Sequence, residues 1–406
     1  MKSLKNINAK AGLFIVLFLF LCFNLGCWDR QEIDKLQLTK AIGIDYCPLE
    51  EEITYTSQVT RPGQIAAGEE GEESPILGPV WIPQGKGQSI FEASRNIANR
   101  SPREIFESHI QVMVIGEEMA RKGISEVADF MLREREHRLI NWVLVTRKEA
   151  GEILRAQTEL EDSLSEEIMG IMESQLLLST APRVNGRNFL IPLSLPGADT
   201  LAPLVEIQEK MPTPDEEIMG ESSPEKKKKY LVIQGTGVFR EDKLAGYLNI
   251  PETKGLLWVK GEISRAVIIP KAPDGGQVTV YITRSKSQIE PEIKKNNIKF
   301  YIEVKTEGDI ASSNIKGNIS DPQVIEELEK KLANNIKQEI LQAVDKSREY
   351  QSDFLHLGAT LRRQEPDEWQ TVKEYWRKEL TEVEVEVRVI AEIRRGGLIS
   401  EPLISQ

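Results

Sequence analysis

The sequence predicts an α+β protein of more than one domain, with mixed and antiparallel sheets and packed helices. Three observations carry that expectation. The chain has 406 residues, too many for one ordinary core. Several stretches alternate apolar and polar residues at period two, most plainly Thr381–Ile393, TEVEVEVRVIAEI. Between such stretches lies a long helical pattern, about residues 322–350, which places its apolar residues on one face.

The totals fit a folded chain. Hydrophobic residues make up 40% and charged residues 29%, a globular balance. The net charge of −12 excludes a general nucleic-acid binder, which needs a basic face. It leaves a membrane partner open, because anchoring can come from other means.

Residues 1–26 stand apart. Lys2, Lys5 and Lys10 precede an uncharged run, AGLFIVLFLFLCF, from Ala11 to Phe23. Thirteen residues are short of the ~20 that a membrane-spanning helix needs. They fit the apolar core of a secretory signal peptide; the alternative is a short anchor helix that is never cleaved. Cys22 lies inside this run, Cys47 in a predicted strand, and Cys27 directly after Gly26. The stretch NLGC reads as a lipoprotein box, with cleavage between Gly26 and Cys27 and a diacylglycerol group on the Cys27 thiol. Asn24 departs from the pattern, since such boxes usually carry Leu there. A mature chain starting at Cys27 keeps one free thiol, Cys47, and no internal disulfide.

An N-terminal α/β domain is expected over residues 27–192. Its strands are Leu36–Tyr46, Ile53–Thr60, His109–Ile115 and Trp142–Thr146. Arg61–Gly87, rich in Gly, Pro and Glu, reads as an exposed loop. Ser89 and Glu92 have capping-box spacing and open a helix to about Asn99. Further helices are expected at Glu117–Lys122, Ile124–His137, Lys148–Ala156 and Ser165–Leu178.

A proline-rich stretch, residues 193–229, reads as a linker or excursion. It ends in Lys226–Lys229, a block that reads as a solvated charge run or, alternatively, as a contact for anionic headgroups. A C-terminal α+β domain is expected over residues 230–395, with 396–406 as a tail. Tyr230–Arg240 and Lys243–Ile250 form a hairpin pattern, and Gly255–Ile269, Gln277–Arg284 and Ile298–Thr306 continue as strands. Asp321 and Pro322 supply the cap and first position of the long helix. A helix after Pro366 places Trp369, Val372, Trp376 and Leu380 on one face. The closing strand, Thr381–Ile393, alternates valines with Glu382, Glu384, Glu386 and Arg388, so basic partners are expected opposite the glutamates.

No catalytic, cofactor or metal site is legible. His109, His137 and His356 lie far apart, and no H-E-x-x-H or cysteine pair occurs. His109 reads as packed at the start of a strand, and His137 as exposed on a charged helix. Gly235-Thr236-Gly237 lacks the third glycine of a phosphate loop, because Arg240 takes that place.

Four stretches together resemble one family: GCWDRQEIDKL…AIGIDY, HIQVMVIGEEMARKGISEVADFMLRE, GTGVFREDKLAGYLNIPETKGLLWVKGEI and DFLHLGATLRRQEPDEWQTVKEYW. Their order and spacing are similar to the Ger(x)C spore germination lipoproteins, the C subunits of germinant receptors. The resemblance covers nearly the whole mature chain. It implies a non-catalytic subunit that works with integral-membrane A and B subunits. It further implies an anchor on the outer face of the spore inner membrane through Cys27, as an N-palmitoyl and S-diacylglycerol cysteine. No enzymatic residues and no cofactor carry over. Two other readings compete: a solute-binding lipoprotein of a transporter, and a cell-wall hydrolase.

Overall fold

The computed structural model describes residues 36–60, 80–134, 137–209, 229–270, 276–294, 297–315 and 318–395. They form two sheets with helices on their faces, the α+β arrangement expected.

The larger sheet has ten strands. They are β1 (Leu36–Cys47), β2 (Glu52–Thr60), β3 (Val80–Trp81), β4 (Gln84–Gly87), β5 (Glu104–Phe106), β6 (Val112–Ile115), β7 (Trp142–Val145), β8 (Leu201–Glu209), β9 (Lys229–Arg240) and β10 (Lys243–Leu248). The order is β10-β9-β8-β7-β6-β1-β2-β3, with β4 beside β2 and β5 beside β1. Strands β1, β6, β7 and β8 run parallel.

Parallel strands are covered on both faces, and the two faces here are separate in sequence parity. Ile42, Ile44, Met113, Ile115, Val143 and Val145 join one apolar cluster. Helices α1 (Ile90–Asn96), α2 (Glu117–Lys122) and α3 (Ser125–Arg133) pack into it through Ala93, Met119 and Phe130. Ala41, Val112, Val114 and Leu144 point the other way. They meet α4 (Ala150–Leu154) and α5 (Leu164–Leu178) through Ile153, Ile168 and Met172. Helix α6 (Gly186–Leu193), capped by Asn185, brings Phe189 to the first cluster.

Strand β8 corrects the linker expected over 193–229. It pairs with β7 at Val145–Leu204 and with β9 along most of its length. Pro203 sits at a register shift in the β8–β9 ladder, where a missing N–H is tolerated. That proline broke the alternation and hid the strand. The β9–β10 hairpin, expected to open the second domain, completes this first sheet instead.

A second correction concerns Gly255–Ile269, expected as strand. Residues Ile250–Lys260 form helix α7, and only Ala266–Ile268, β11, is extended. Asn249 Oδ1 accepts from the Glu252 amide at 3.0 Å, and Glu252 Oε2 accepts from the Asn249 amide at 2.8 Å. This capping box, with Pro251 in the first turn, starts the helix. Gly255 through Val259 are all buried, so no polar face marks a helical period.

The smaller sheet has the order β11-β12-β13-β14, with β12 (Val278–Lys294), β13 (Asn297–Ser313) and β14 (Glu384–Arg395). β12 and β13 form an antiparallel pair, while β14 lies parallel to β13 and so needs a crossover. Helix α8 (Pro322–Tyr350) supplies most of it and spans about 43 Å at 1.5 Å per residue. Asp321 accepts from the Gln323 amide at 2.9 Å and caps it. Leu328, Leu332, Ile336, Ile340 and Val344 are its buried stripe, packed on α7 and β14. The chain returns through α9 (Leu357–Gln364), α10 (Pro366–Val372) and α11 (Trp376–Glu382). Trp369, Val372, Trp376 and Leu380 are buried, as the spacing predicts.

The charge ladder expected for the last strand is present. Lys299 on β13 bridges Glu384 and Glu386 at 2.7 and 2.9 Å. Arg394 meets Glu307 at 3.1 Å across the same pair of strands. The first apolar cluster also runs on without a break into Leu256, Trp258, Leu332 and Phe300, so both sheets share one core.

Candidate functional site

Gly26 and Cys27, the predicted cleavage and lipid-attachment positions, lie outside the described residues, as does the lysine block except Lys229. Among the described residues, two polar constellations stand out. One is a surface cleft on the larger sheet. The other is a buried hub between the sheets.

The cleft, of about 420 Å³, opens at the carboxyl ends of β1, β6 and β7. Asp45 and Cys47 end β1, Glu117 follows β6, and Arg147, Glu149 and Glu152 follow β7. Ligands of parallel α/β sheets occupy this end, because the loops there converge. Asp45 accepts from the amides of Ala150 and Gly151 at 2.6 and 2.9 Å and so ties the start of α4 to the sheet. Burial pushes its carboxyl up to about 6, against the pull of those two amides. A Cβ at Gly116 would collide with Asp45 Oδ1, so the position beside it has room only for glycine. Cys47 has no histidine in the cleft lining to activate it. Among the described residues no three His, Cys, Asp or Glu side chains gather as a metal site.

The histidines are placed differently from expectation. His109 is exposed and lies beside the Phe106 ring, with 5.4 Å between centroids, rather than packed in a strand. His137 falls after the end of α3 and is buried. Its Nε2 is 3.2 Å from Glu107 Oε2, and Tyr55 donates to the other Glu107 oxygen at 2.6 Å. The charged run before His137 suggested solvent, but the end of the helix at Arg133 turns the chain back toward Phe130, whose ring it meets edge-on.

The hub is built around two aspartates. Asp199, 2% exposed, lies just before β8. Its carboxylate accepts from the Glu241 amide at 2.8 Å, the Asp353 amide at 2.7 Å, and both Arg377 Nη atoms at 2.8 and 2.9 Å. Asp353, also buried, accepts from the amides of Leu357 and Gly358 at 2.8 and 2.7 Å, and from Trp376 Nε1 at 3.0 Å. It thereby satisfies the first amides of α9. Burial raises its carboxyl to about 6, opposed by those three donors. His356 Nε2 lies 3.2 Å from the Asp199 carbonyl. A carbonyl only accepts, so Nε2 carries the ring proton. Burial and the nearby Lys260 pull the His356 pKa down to about 4. Gly197, at φ +80°, lets the chain pass within reach of Gly358 and Trp369.

These groups satisfy one another. The donors named here are spent on internal acceptors, and Lys260, whose ammonium burial pulls below its usual range, borders them. Its chemistry is that of a joint: Asp199 and Glu241 belong to the larger sheet, whereas Asp353, His356 and Arg377 belong to the crossover of the smaller one. Two of the four diagnostic stretches meet here. Asp199, Asp353 and Arg377 are far apart in the chain, and no sequence motif joins them. The one local signal was an acidic residue within the apolar run DFLHLG.

These features define a two-sheet α+β chain whose sheets are joined by a buried polar hub. Comparisons identify the family. Residues 29–207 match the spore germination protein N-terminal domain, and residues 234–397 match the spore germination B3/GerAC-like C-terminal domain. The chain belongs to the GerAC family of spore germination proteins. It is 26% identical to spore germination protein KC of Bacillus subtilis (strain 168), over 98% of each chain. It is 25% identical to spore germination protein B3 of the same organism, over 96% of this chain and 99% of that one. Its fold is similar to the crystal structure of the GerBC protein, with a TM-score of 0.55 at 21% identity, covering 90% of this chain and 99% of that one. No helix among the described residues is long and apolar enough to cross a membrane.

Proposed function

We propose that this chain is a non-catalytic, lipid-anchored subunit of a nutrient germinant receptor. It is tethered to the outer face of the spore inner membrane through acylated Cys27, after cleavage behind Gly26. There it assembles with the membrane-embedded A and B subunits. The observation that carries the reading is the match to germination proteins over both halves of the chain. A hub whose polar groups are spent on each other supports a scaffolding role.

The anchor is tested with Cys27→Ala in sporulating cells. The expected result is loss of lipid mass from the N-terminal peptide, loss of the protein from the membrane fraction, and slowed germination. An unlipidated wild-type N-terminus in mass spectrometry refutes the anchor, whatever the fractionation shows. Co-purification of the A and B subunits with the wild-type chain tests assembly.

The cleft at the strand ends favours a second reading, a solute-binding lipoprotein. Nutrient binding there stabilises the folded chain by RT ln(1 + [L]/Kd). A thermal shift with one nutrient, lost on Arg147→Ala, supports it, and no shift across a nutrient panel removes it.

A further inference from the structure

Of the twelve large apolar side chains exposed among the described residues, five lie on two neighbouring elements. Leu176, Leu177 and Leu178, at the end of α5, are 42, 45 and 50% exposed, and Val267 and Ile269 are 45 and 51% exposed. Helix α5 packs on β11, and Ser179 Oγ beyond its end donates to the Arg265 carbonyl at 2.6 Å. β11 is an edge strand. Along it Arg265, Val267 and Ile269 face outward while Ala266 and Ile268 are buried.

The rim of this patch is basic. A groove of about 400 Å³ runs beside Ile269, lined by Lys330, Lys331, Asn334 and Asn335 of α8. Lys254 reaches the same edge and donates to the Val267 carbonyl at 3.2 Å. Lys330 also meets Glu326 at 2.6 Å, a pair open to solvent on both sides. Elsewhere the chain is strongly acidic, at −12 overall. Glu326 and Glu327 beside Lys330 offset part of the rim's positive charge, and Lys254, Arg265 and Lys331 are the other basic groups at the rim.

Exposed apolar residues scattered singly need no explanation, but a contiguous patch marks an interaction surface. The combination narrows the partner. Lysines can lay their stems along apolar neighbours and hold their ammonium groups at a layer of negative charge. Near an anionic membrane each contributes attraction that salt screens. We propose that this face, from the end of α5 across β11 to the lysines of α8, lies against a bilayer carrying anionic headgroups. The leucines, Val267 and Ile269 enter the headgroup boundary, and Lys254, Arg265, Lys330 and Lys331 pair with lipid phosphates. The proposal rests on the lipid-anchor reading and adds which face of the tethered chain meets the membrane.

The test uses the full lipidated chain, purified in detergent and reconstituted on phosphatidylglycerol vesicles. Cys47→Ser removes the free thiol, and Leu177→Cys, Ile269→Cys or Leu49→Cys places one environment-sensitive fluorophore. Leu49, in the β1–β2 turn, is the control, at 96% exposure. The expected result is a blue shift with quenching by brominated lipid at 177 and 269, and neither at 49. Both signals fall on phosphatidylcholine vesicles and with the pair Lys330→Gln and Lys331→Gln. Flotation with the vesicles but no shift at 177 or 269 overturns the docking face and leaves the anchor intact. Failure to float overturns the anchor reading itself. A shift that persists without lipid quenching, and grows with protein density, assigns the patch to a second copy of the chain and overturns the proposal.

Discussion

Removing the Asp199–Arg377 contact tests whether the hub is the joint between the two sheets. Asp199 is buried, and four N–H groups converge on its two oxygens. Asp199→Ala strands the amides of Glu241 and Asp353 and leaves the guanidinium without its bidentate partner. Breaking a buried pair in this way costs ~3–5 kcal/mol. Arg377→Met is milder, because Asp199 keeps its two amide donors and Arg377 is itself partly exposed. Its cost is ~1–3 kcal/mol, the loss of a charged hydrogen-bond partner. The double variant should cost less than the sum by ~1–3 kcal/mol, since one contact is removed twice over. The assay is urea unfolding followed by tryptophan emission, because Trp369 and Trp376 sit within the same joint, with ring centroids 5.7 Å apart. Asp199→Ala should also split the single transition in two, with the smaller sheet unfolding first. Costs that add within ~0.5 kcal/mol, as distant sites do, would refute the reasoning.

Three further outcomes follow from other contacts. His356 is held neutral, with a pKa near 4 against 6.5 when unfolded. Between those values the unfolded chain binds the extra proton, so stability from this residue is present above pH 6.5 and lost as pH falls toward 4; by pH ~5 the loss is ~2 kcal/mol. His356→Asn should narrow the gap to wild type by that amount between pH ~7 and ~5 in denaturant titrations, and parallel pH curves would contradict the assignment. Gly255→Ala should destabilise by ~1–3 kcal/mol in thermal melts, because a Cβ there collides with the Glu339 carbonyl where α7 crosses α8. Trp258→Phe removes the Nε1 donor that reaches Glu339 at 2.8 Å; burial already raises that carboxyl, and the cost should be ~1–3 kcal/mol.

How much of this was legible depended on whether burial left one face wet. β14 and α8 show their full period in the sequence, since Glu384, Glu386 and Arg388 stay in solvent opposite the valines, and Lys330 and Lys337 opposite the leucines. Helix α7 is buried on every side from Gly255 to Val259 and therefore reads as an apolar run. Its only local signature is the Asn249–Glu252 box. Strand β8 is interrupted by Pro203, tolerated because the ladder shifts there. The hub was beyond reach for a different reason. Asp199 is 154 residues from Asp353 and 178 from Arg377, and no local rule pairs side chains at that distance.

The two family segments divide the chain between residues 207 and 234, but the structure does not divide there. β8 ends the first segment, β9 opens the second, and the two are antiparallel neighbours in one sheet from Leu201–Val238 to Glu209–Lys229. Separating the halves would strip this ladder, open the shared apolar cluster and expose Asp199 to water without its guanidinium. Each of these opposes a hinge between the segments. A displacement at one end of the molecule must then be carried as rigid rotation rather than absorbed by a linker. That property suits the tethered subunit proposed above, which would hold position against membrane partners, and it makes the hub variants informative beyond stability. If Arg377→Met leaves the fold intact yet weakens co-purification of those partners, the rigidity of the joint is itself part of the function.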